Sequence, residues 1–415
     1  MGRIYKVAQS LIIFLTVIVI NVSGQSPVGQ TLRLHQDNSP AAPDSGEPNL
    51  YVAADGRVYL SWVEAAGEKR RALRFAVRNA GKWSEPRTIT EGENLFVNWA
   101  DFPSLVVLAN ESLVAHWLVK NTNDSHAYDI NIARSTDGGK TWNKPILPHR
   151  DGTQTEHGFV SMLPWTGGRV AAIWLDGRNF KENSHEGHGA STNEMTLRYT
   201  TIDARGQTSE DVLLDPRVCD CCQTSAALTS EGAIVVYRDR SEKEIRDISV
   251  VRFSKGRWTE PKSLSADGWE IQGCPVNGPS VSADGRRVAV AWFTAANDTP
   301  RVKVVFSNDA GATFGQPIQV DEATPVGRVD VLMLADGSAL VSWLERTAKG
   351  GDVKVRRIRS EGSRDQAITI ADSSAARVSG FPQMARAGNE IVLAWTQPGT
   401  PTRVRTAIIR FAGNK

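Results

Sequence analysis

All four cysteines of the chain fall in two short segments, Val218-Cys219-Asp220-Cys221-Cys222-Gln223-Thr224 and Gly273-Cys274-Pro275-Val276-Asn277-Gly278-Pro279. That is enough sulfur for a long-range disulfide or for a soft-metal site. Two disulfides meet a geometric obstacle. Once Cys274 takes one thiol of the trio, the other two are neighbours or one residue apart. Adjacent Cα atoms lie about 3.8 Å apart, below the usual disulfide span of roughly 4.4–6.8 Å. Three readings stand. Cys274 bridges one member of the trio and leaves a strained or free pair; or Cys219, Cys221, Cys222 and Cys274, with His157, hold Cu(I) or Zn(II); or the thiols are free and redox-active. The disulfide is the first expectation, and no cofactor is required by it.

Charged residues gather in two further segments. One reads Asp176-Gly177-Arg178-Asn179-Phe180 and continues to His185-Glu186-Gly187-His188; the other holds Arg238-Asp239-Arg240 and Glu244-Ile245-Arg246-Asp247. Guanidinium forks suit carboxylates, and paired acids suit proton transfer. Arg178, Arg238 and Arg246 are therefore the candidate anion clamps, and Asp101, Asp176 and Asp239 the candidate acids. His185 and His188 have the spacing of a helix face, but the Gly, Ser and Asn around them indicate a solvated loop rather than a metal pair.

Something must bring these distant segments together. An apolar strand ending in an aromatic recurs at Trp62, Trp117, Trp174, Tyr237, Trp292, Trp343 and Trp395, at intervals of 55, 57, 63, 55, 51 and 52 residues. Each copy alternates as a sheet strand does, and a period of this size marks units that bury their faces only against neighbours. The pattern predicts an all-β propeller of seven four-stranded blades, with six blades as the alternative. The last copy lacks a fourth strand, which Gln30 to Gln36 would supply and so close the ring. Counting back from the aromatics, 237 − 219 and 292 − 274 both equal 18, so Cys219 and Cys274 are equivalent positions of adjacent blades. In a propeller, the loops entering each inner strand and those joining second to third strands share one face. That face would carry Asp101, His157, the cysteines, and both charged segments.

Two loops, Ser135-Thr136-Asp137-Gly138-Gly139-Lys140-Thr141-Trp142 and Ser307-Asn308-Asp309-Ala310-Gly311-Ala312-Thr313-Phe314, fit S-x-D-x-G-x-x-[WF]. Here the chain resembles the sialidase-like, Asp-box (BNR-repeat) propellers. The resemblance implies that Asp137 and Asp309 are structural, on the face away from the ligand. It also implies a ligand site able to take a polar or anionic glycan, with exo-glycosidase (exo-α-sialidase-like) activity as one outcome. Active sialidases use three arginines, the first in an R-I-P motif, with a Tyr–Glu nucleophile pair and an acid/base Asp. This chain has no R-I-P. Tyr237 fills a slot otherwise occupied by Trp, and Tyr128 has no evident partner. The alternative is a non-catalytic ligand- or metal-binding scaffold using the cysteine-rich face.

Bulk properties narrow the partners. Lys and Arg number 48 against 46 Asp and Glu, for a net charge of +2. Such a balance gives no reason to expect nucleic acid. Arg3 and Lys6 precede the apolar run Leu11 to Ile20, followed by the small residues Ser23 and Gly24. This reads as a cleaved export signal over 1–24, too short for a membrane span. A single domain over 25–415, periplasmic or extracellular, without a membrane span once cleaved, and monomeric, is expected.

Overall fold

The computed structural model describes residues 2, 32–122, 127–180 and 194–411. The export signal and the His185–His188 segment lie outside the described residues. Seven antiparallel sheets form a ring of blades. Blade 1 comprises Ser45–Val52, Val58–Ala65 and Arg71–Asn79, with its outer strand broken into Lys82–Trp83 and Arg87–Gly92. Blade 2 comprises Ser104–Val107, Leu113–Lys120 and Tyr128–Ser135, and its expected fourth strand is reduced to an Ile132–Ile146 bridge. Blade 3 runs from His157–Trp165 through Arg169–Asp176 and Met195–Ile202 to Val212–Val218. In blades 4, 5 and 6 the second strands are Gly232–Arg238, Arg287–Thr294 and Ala339–Thr347. Blade 7 takes Gln383–Ala387, Glu390–Gln397 and Arg403–Phe411.

Leu32–Asp37 completes blade 7. It pairs antiparallel with the C-terminal strand, from Leu32 opposite Phe411 to Asp37 opposite Thr406. The fold is therefore a seven-bladed β-propeller closed by an N-terminal strand. Among the described residues no helix is long and apolar enough to cross a membrane.

The core is divided among the gaps between blades. Phe75 and Trp117 pack in the gap between blades 1 and 2, Ile234 and Trp292 between 4 and 5, Leu344 and Trp395 between 6 and 7. Alternating strand residues point to opposite faces, so each blade serves two such cores. The recurring aromatics are buried; Trp62, Trp174, Trp292 and Trp343 are essentially inaccessible. A buried indole N–H needs an acceptor. Trp62 donates to Glu64, Trp174 to Asp176 and Trp343 to Glu345, at 2.6, 2.8 and 2.6 Å. Trp395 donates to Gln397 at 3.1 Å. The acceptor two residues on lies on the same strand face, so the repeat encodes a local indole clasp.

The two Asp-boxes repeat one hydrogen-bond pattern. Asp137 accepts the backbone N–H groups of Lys140 and Thr141, each at 3.0 Å, and the Thr141 hydroxyl at 2.7 Å. Asp309 does the same with Thr313, at 2.9 and 2.6 Å. Gly139 has φ +83°, and a Cβ there would stand 2.3 Å from the Phe75 ring of the preceding blade. Only glycine allows that approach.

Candidate functional site

Inner strands of all seven blades line one axial channel of about 280 Å³, with Leu50, Ser104, Met162, Ser225, Val281, Val331 and Met384 each contributed by a different blade. The channel mouth is ringed by the loops entering these strands, as expected from the repeat. Three of the strands bulge at the mouth, placing Glu47, Phe159 and Arg328 at φ +52°, +53° and +55°. They are equivalent: 62 − 47, 174 − 159 and 343 − 328 all equal 15.

Asp101 enters blade 2 and is buried at 2% exposure. Its Oδ1 accepts the Phe159 N–H at 2.8 Å, and its Oδ2 lies 3.1 Å from the Tyr128 hydroxyl. Burial pushes the Asp101 carboxyl up to about 7, against the Phe159 N–H and Tyr128 hydroxyl that favour its ionised form. The same Tyr128 hydroxyl lies 2.7 Å from Glu156 Oε1. Tyr128 has one proton. It donates to Glu156, while a protonated Asp101 supplies the second bond. The three groups thus form a short proton path from half-buried Glu156 to buried Asp101. Burial and the two carboxyls keep the Tyr128 phenol well above its ordinary range, so it ionises only by losing its proton to a neighbour. Gly158 makes room for this arrangement: a Cβ there would lie 2.0 Å from Asp101 Oδ2 and 2.8 Å from the Tyr128 ring.

Asp176 and Arg178 belong to a separate network. Asp176 is fully buried, clasps the Trp174 indole, and accepts Arg178 Nε at 2.6 Å and Nη2 at 2.7 Å. Arg178 also reaches Asp211 at 3.0 Å and Asp151 at 3.4 Å. His157 is 3.2 Å from Asp151 and 3.8 Å from Asp176, with His149 stacked on it at 3.8 Å. Burial opposes protonation of His157, but Asp151 and Asp176 overcome it and raise its pKa. Burial likewise opposes ionisation of Asp176, and Arg178 with His157 holds it below the usual carboxylate range. His157, expected beside the cysteines, instead converges with Asp129, Asp151 and Asp176.

The other two expected anion clamps also have internal partners. Arg238 is 1% exposed, donates to the Asn277, Arg246 and Phe293 carbonyls, and lies over the Trp269 ring at 4.9 Å. Arg246, equally buried, meets Glu244 at 2.9 Å, Asp220 at 3.1 Å and Cys219 Sγ at 3.3 Å. Asp239 accepts Ser249 Oγ at 2.9 Å, and burial raises its pKa. Nearby, Tyr237 donates to Asp215 at 2.6 Å, and burial pushes that carboxyl up to about 6.

The cysteines do converge across blades 4 and 5, and none is in a disulfide. Cys219 Sγ is 3.5 Å from Cys222 Sγ and 3.8 Å from Cys221 Sγ. Cys274 Sγ lies 3.7 Å from Asp220 Oδ1, and its sulfur, that carboxylate and the Cys221 sulfur are mutually within 4.8 Å. Burial works against ionisation of Cys219, but the Cys221 and Cys222 thiols and Arg246 hold its pKa well below the usual value. Burial and the neighbouring Cys219 sulfur raise Cys221 and Cys222.

Sequence reasoning passed over one more group at the mouth. The Trp99 ring carries the Arg328 guanidinium at 4.6 Å and that of Arg377 at 5.9 Å, and packs on Phe381 at 5.8 Å. Arg328 is spent on the Ala376 and Gly380 carbonyls, and burial lowers its pKa to about 10. Arg377 is exposed and has no carboxylate partner among the described residues. Its signal was positional: 395 − 377 equals 18, as for the cysteines.

No protein-family model matches the chain, and no curated protein matches it either. Solved structures do. The polysaccharide lyase Uly1 shares 9% identity with a TM-score of 0.54, covering 89% of this chain and 90% of its own. The likeness is one of fold, a β-propeller. An α-L-arabinofuranosidase from Fusarium graminearum, with an iminosugar inhibitor bound, shares 12% identity at a TM-score of 0.52, covering 91% and 98%. A protein of unknown function from Dyadobacter fermentans shares 15% identity, also at 0.52, covering 92% and 99%.

Proposed function

We propose that the propeller binds a polar or anionic carbohydrate at the channel mouth and cleaves it by acid–base chemistry centred on Tyr128. One observation carries this reading: a single phenol joins two carboxyl groups, Glu156 at 2.7 Å and Asp101 at 3.1 Å, on entry loops of adjacent blades. Asp101, with a pKa of about 7, passes its proton to Tyr128 as Tyr128 passes its own to Glu156; Glu156 then protonates the leaving-group oxygen as the glycosidic bond breaks, and water adds to the sugar carbon and returns a proton along the same path. Trp99 offers an aromatic face to a sugar ring, and Arg377 a fork for a carboxylate or sulfate. Carbohydrate as the ligand class is further supported by the similar solved folds, a polysaccharide lyase and an arabinofuranosidase. Asp176 and Asp239 are given no chemical step, because each is held in an internal network. The chemistry requires no cofactor. Export to the periplasm or outside, through a signal over 1–24, suits such a substrate.

A second reading is favoured by the depth of the reactive group. Tyr128 is 1% exposed and its ring stacks on Phe96 at 3.9 Å, so a ligand resting on the mouth meets Glu156 first. On this reading the face binds a glycan without cleaving it. Both are tested with aryl glycosides of sialic acid, arabinofuranose and hexuronic acids, plus anionic polysaccharides, using the folded wild type, Y128F and W99A. Turnover in the wild type that Y128F abolishes supports cleavage. Binding without turnover, weakened in W99A, supports the second reading, and neither binding nor turnover rejects both.

A further inference from the structure

The carbohydrate reading gives Cys219, Cys221 and Cys222 no role, yet each sulfur has defined neighbours. Their three sulfurs lie within 4.8 Å of one another, with Cys219–Cys222 and Cys219–Cys221 separations of 3.5 and 3.8 Å. Zinc–thiolate bonds of about 2.3 Å set tetrahedral S···S edges at about 3.8 Å, and a trigonal plane with similar bonds sets them at about 4.0 Å. A disulfide needs about 2.05 Å. The spacing fits a shared ion better than a bond, and any one disulfide within the trio would strand the third thiol.

The groups around the sulfurs are donors. Arg246 Nη1 points at Cys219 Sγ from 3.3 Å, and the Asn277 backbone N–H at Cys222 Sγ from 3.4 Å. N–H···S contacts of this kind orient and stabilise ligating thiolates. Arg246 is itself fixed by Glu244, which Arg240 holds at 2.8 Å.

We propose that Cys219, Cys221 and Cys222 bind a thiophilic d10 ion, Cu(I) or Zn(II), with Cys274, whose sulfur neighbours Cys221 outside the trio, moving in as the fourth ligand where four are needed. Soft sulfur donors select such ions. Cys219 and Cys222 are buried at 0% and 1% exposure, so the site is closed and structural, while half-buried Cys221 gives the ion its way in. Binding holds the three sulfurs as thiolates and releases the protons they carry, and where Cys274 joins it ties the entry loop of blade 4 to that of blade 5. The site is independent of the carbohydrate reading.

The test uses the mature protein, reduced under argon and titrated with Cu(I) or Zn(II) against a chromogenic chelator of known affinity. The expected result is one equivalent bound, a sulfur-to-metal charge-transfer band for Cu(I), a higher melting temperature, and affinity weakened more than about 100-fold in C221S. C274S separates the ions: Zn(II) affinity falls with it and Cu(I) affinity does not. A melting curve without metal shows that each variant is folded. The proposal is overturned if the reduced wild type binds neither ion, or if a folded C219S/C221S/C222S variant binds as tightly. It is also overturned if the isolated protein carries a Cys219–Cys222 disulfide and its reduced form binds neither ion. None of these outcomes bears on glycoside turnover.

Discussion

Replacing Asp101 by Asn should change how stability depends on pH, in a direction fixed by burial. The Asp101 carboxyl titrates near 7 in the folded protein against an ordinary value of 3.8. Over that window the folded state holds a proton that the unfolded state has released. Its neutral form is fully stabilising below about 4, stability falls as pH rises through the window, and the loss is complete above about 7. Roughly three pKa units correspond to about 4 kcal/mol in all, of which about 3 kcal/mol falls between pH 5 and pH 8. Asn keeps the geometry, since its carbonyl accepts from Phe159 and its amide donates to Tyr128, but it cannot titrate. Other raised carboxyls, Glu47 near 7 and Asp215 and Asp330 near 6, act equally in both proteins and cancel in the difference. Urea unfolding of wild type and D101N at pH 5, 6, 7 and 8 measures that difference directly. D101N should gain about 3 kcal/mol relative to wild type from pH 5 to pH 8. Parallel pH profiles would refute the claim that Asp101 is a buried, protonated acid.

Other variants probe the remaining parts. Y128F and E156Q should each lower turnover on a cleavable glycoside by about 10²–10⁴-fold while remaining folded by circular dichroism. Deleting residues through Asp37 should expose the Arg403–Phe411 edge and produce oligomers on size-exclusion chromatography, where the full mature chain should elute as a monomer. W174F should cost about 1–3 kcal/mol in urea unfolding, because the Asp176 carboxylate loses a buried donor. G158A should displace Asp101 and Tyr128 and reduce turnover along with stability.

The ring was legible because its signal is periodic: seven aromatics, two Asp-boxes and one orphan strand agree on one architecture. The equivalence of Cys219 and Cys274 was legible for the same reason. The polar chemistry was less so. Arg178 and Arg246 looked available, yet each has an acid two residues earlier at the same mouth, Asp176 at its strand end and Glu244 in its loop, which consumes it. Asp176 looked like a catalytic acid, but it occupies the clasp position of Glu64 and Glu345. Tyr128 seemed unsupported because its partners lie 27 and 28 residues away, Asp101 at the entry to its own blade and Glu156 at the entry to the next, where no local pattern links them. A positional signal did exist for Glu156, since 174 − 156 equals 18, the offset that placed both cysteines at the mouth. Extending that count around all seven copies would also have drawn out Trp99 and Arg377.

The most direct test of the central claim is the pH dependence of kcat/KM on a glycoside the protein cleaves. If Asp101 delivers its proton through Tyr128, the rate should fall as pH rises through about 7, and D101N should be slow at every pH with that limb gone. A D101N enzyme with wild-type rates and the same descending limb would show that the proton comes from elsewhere.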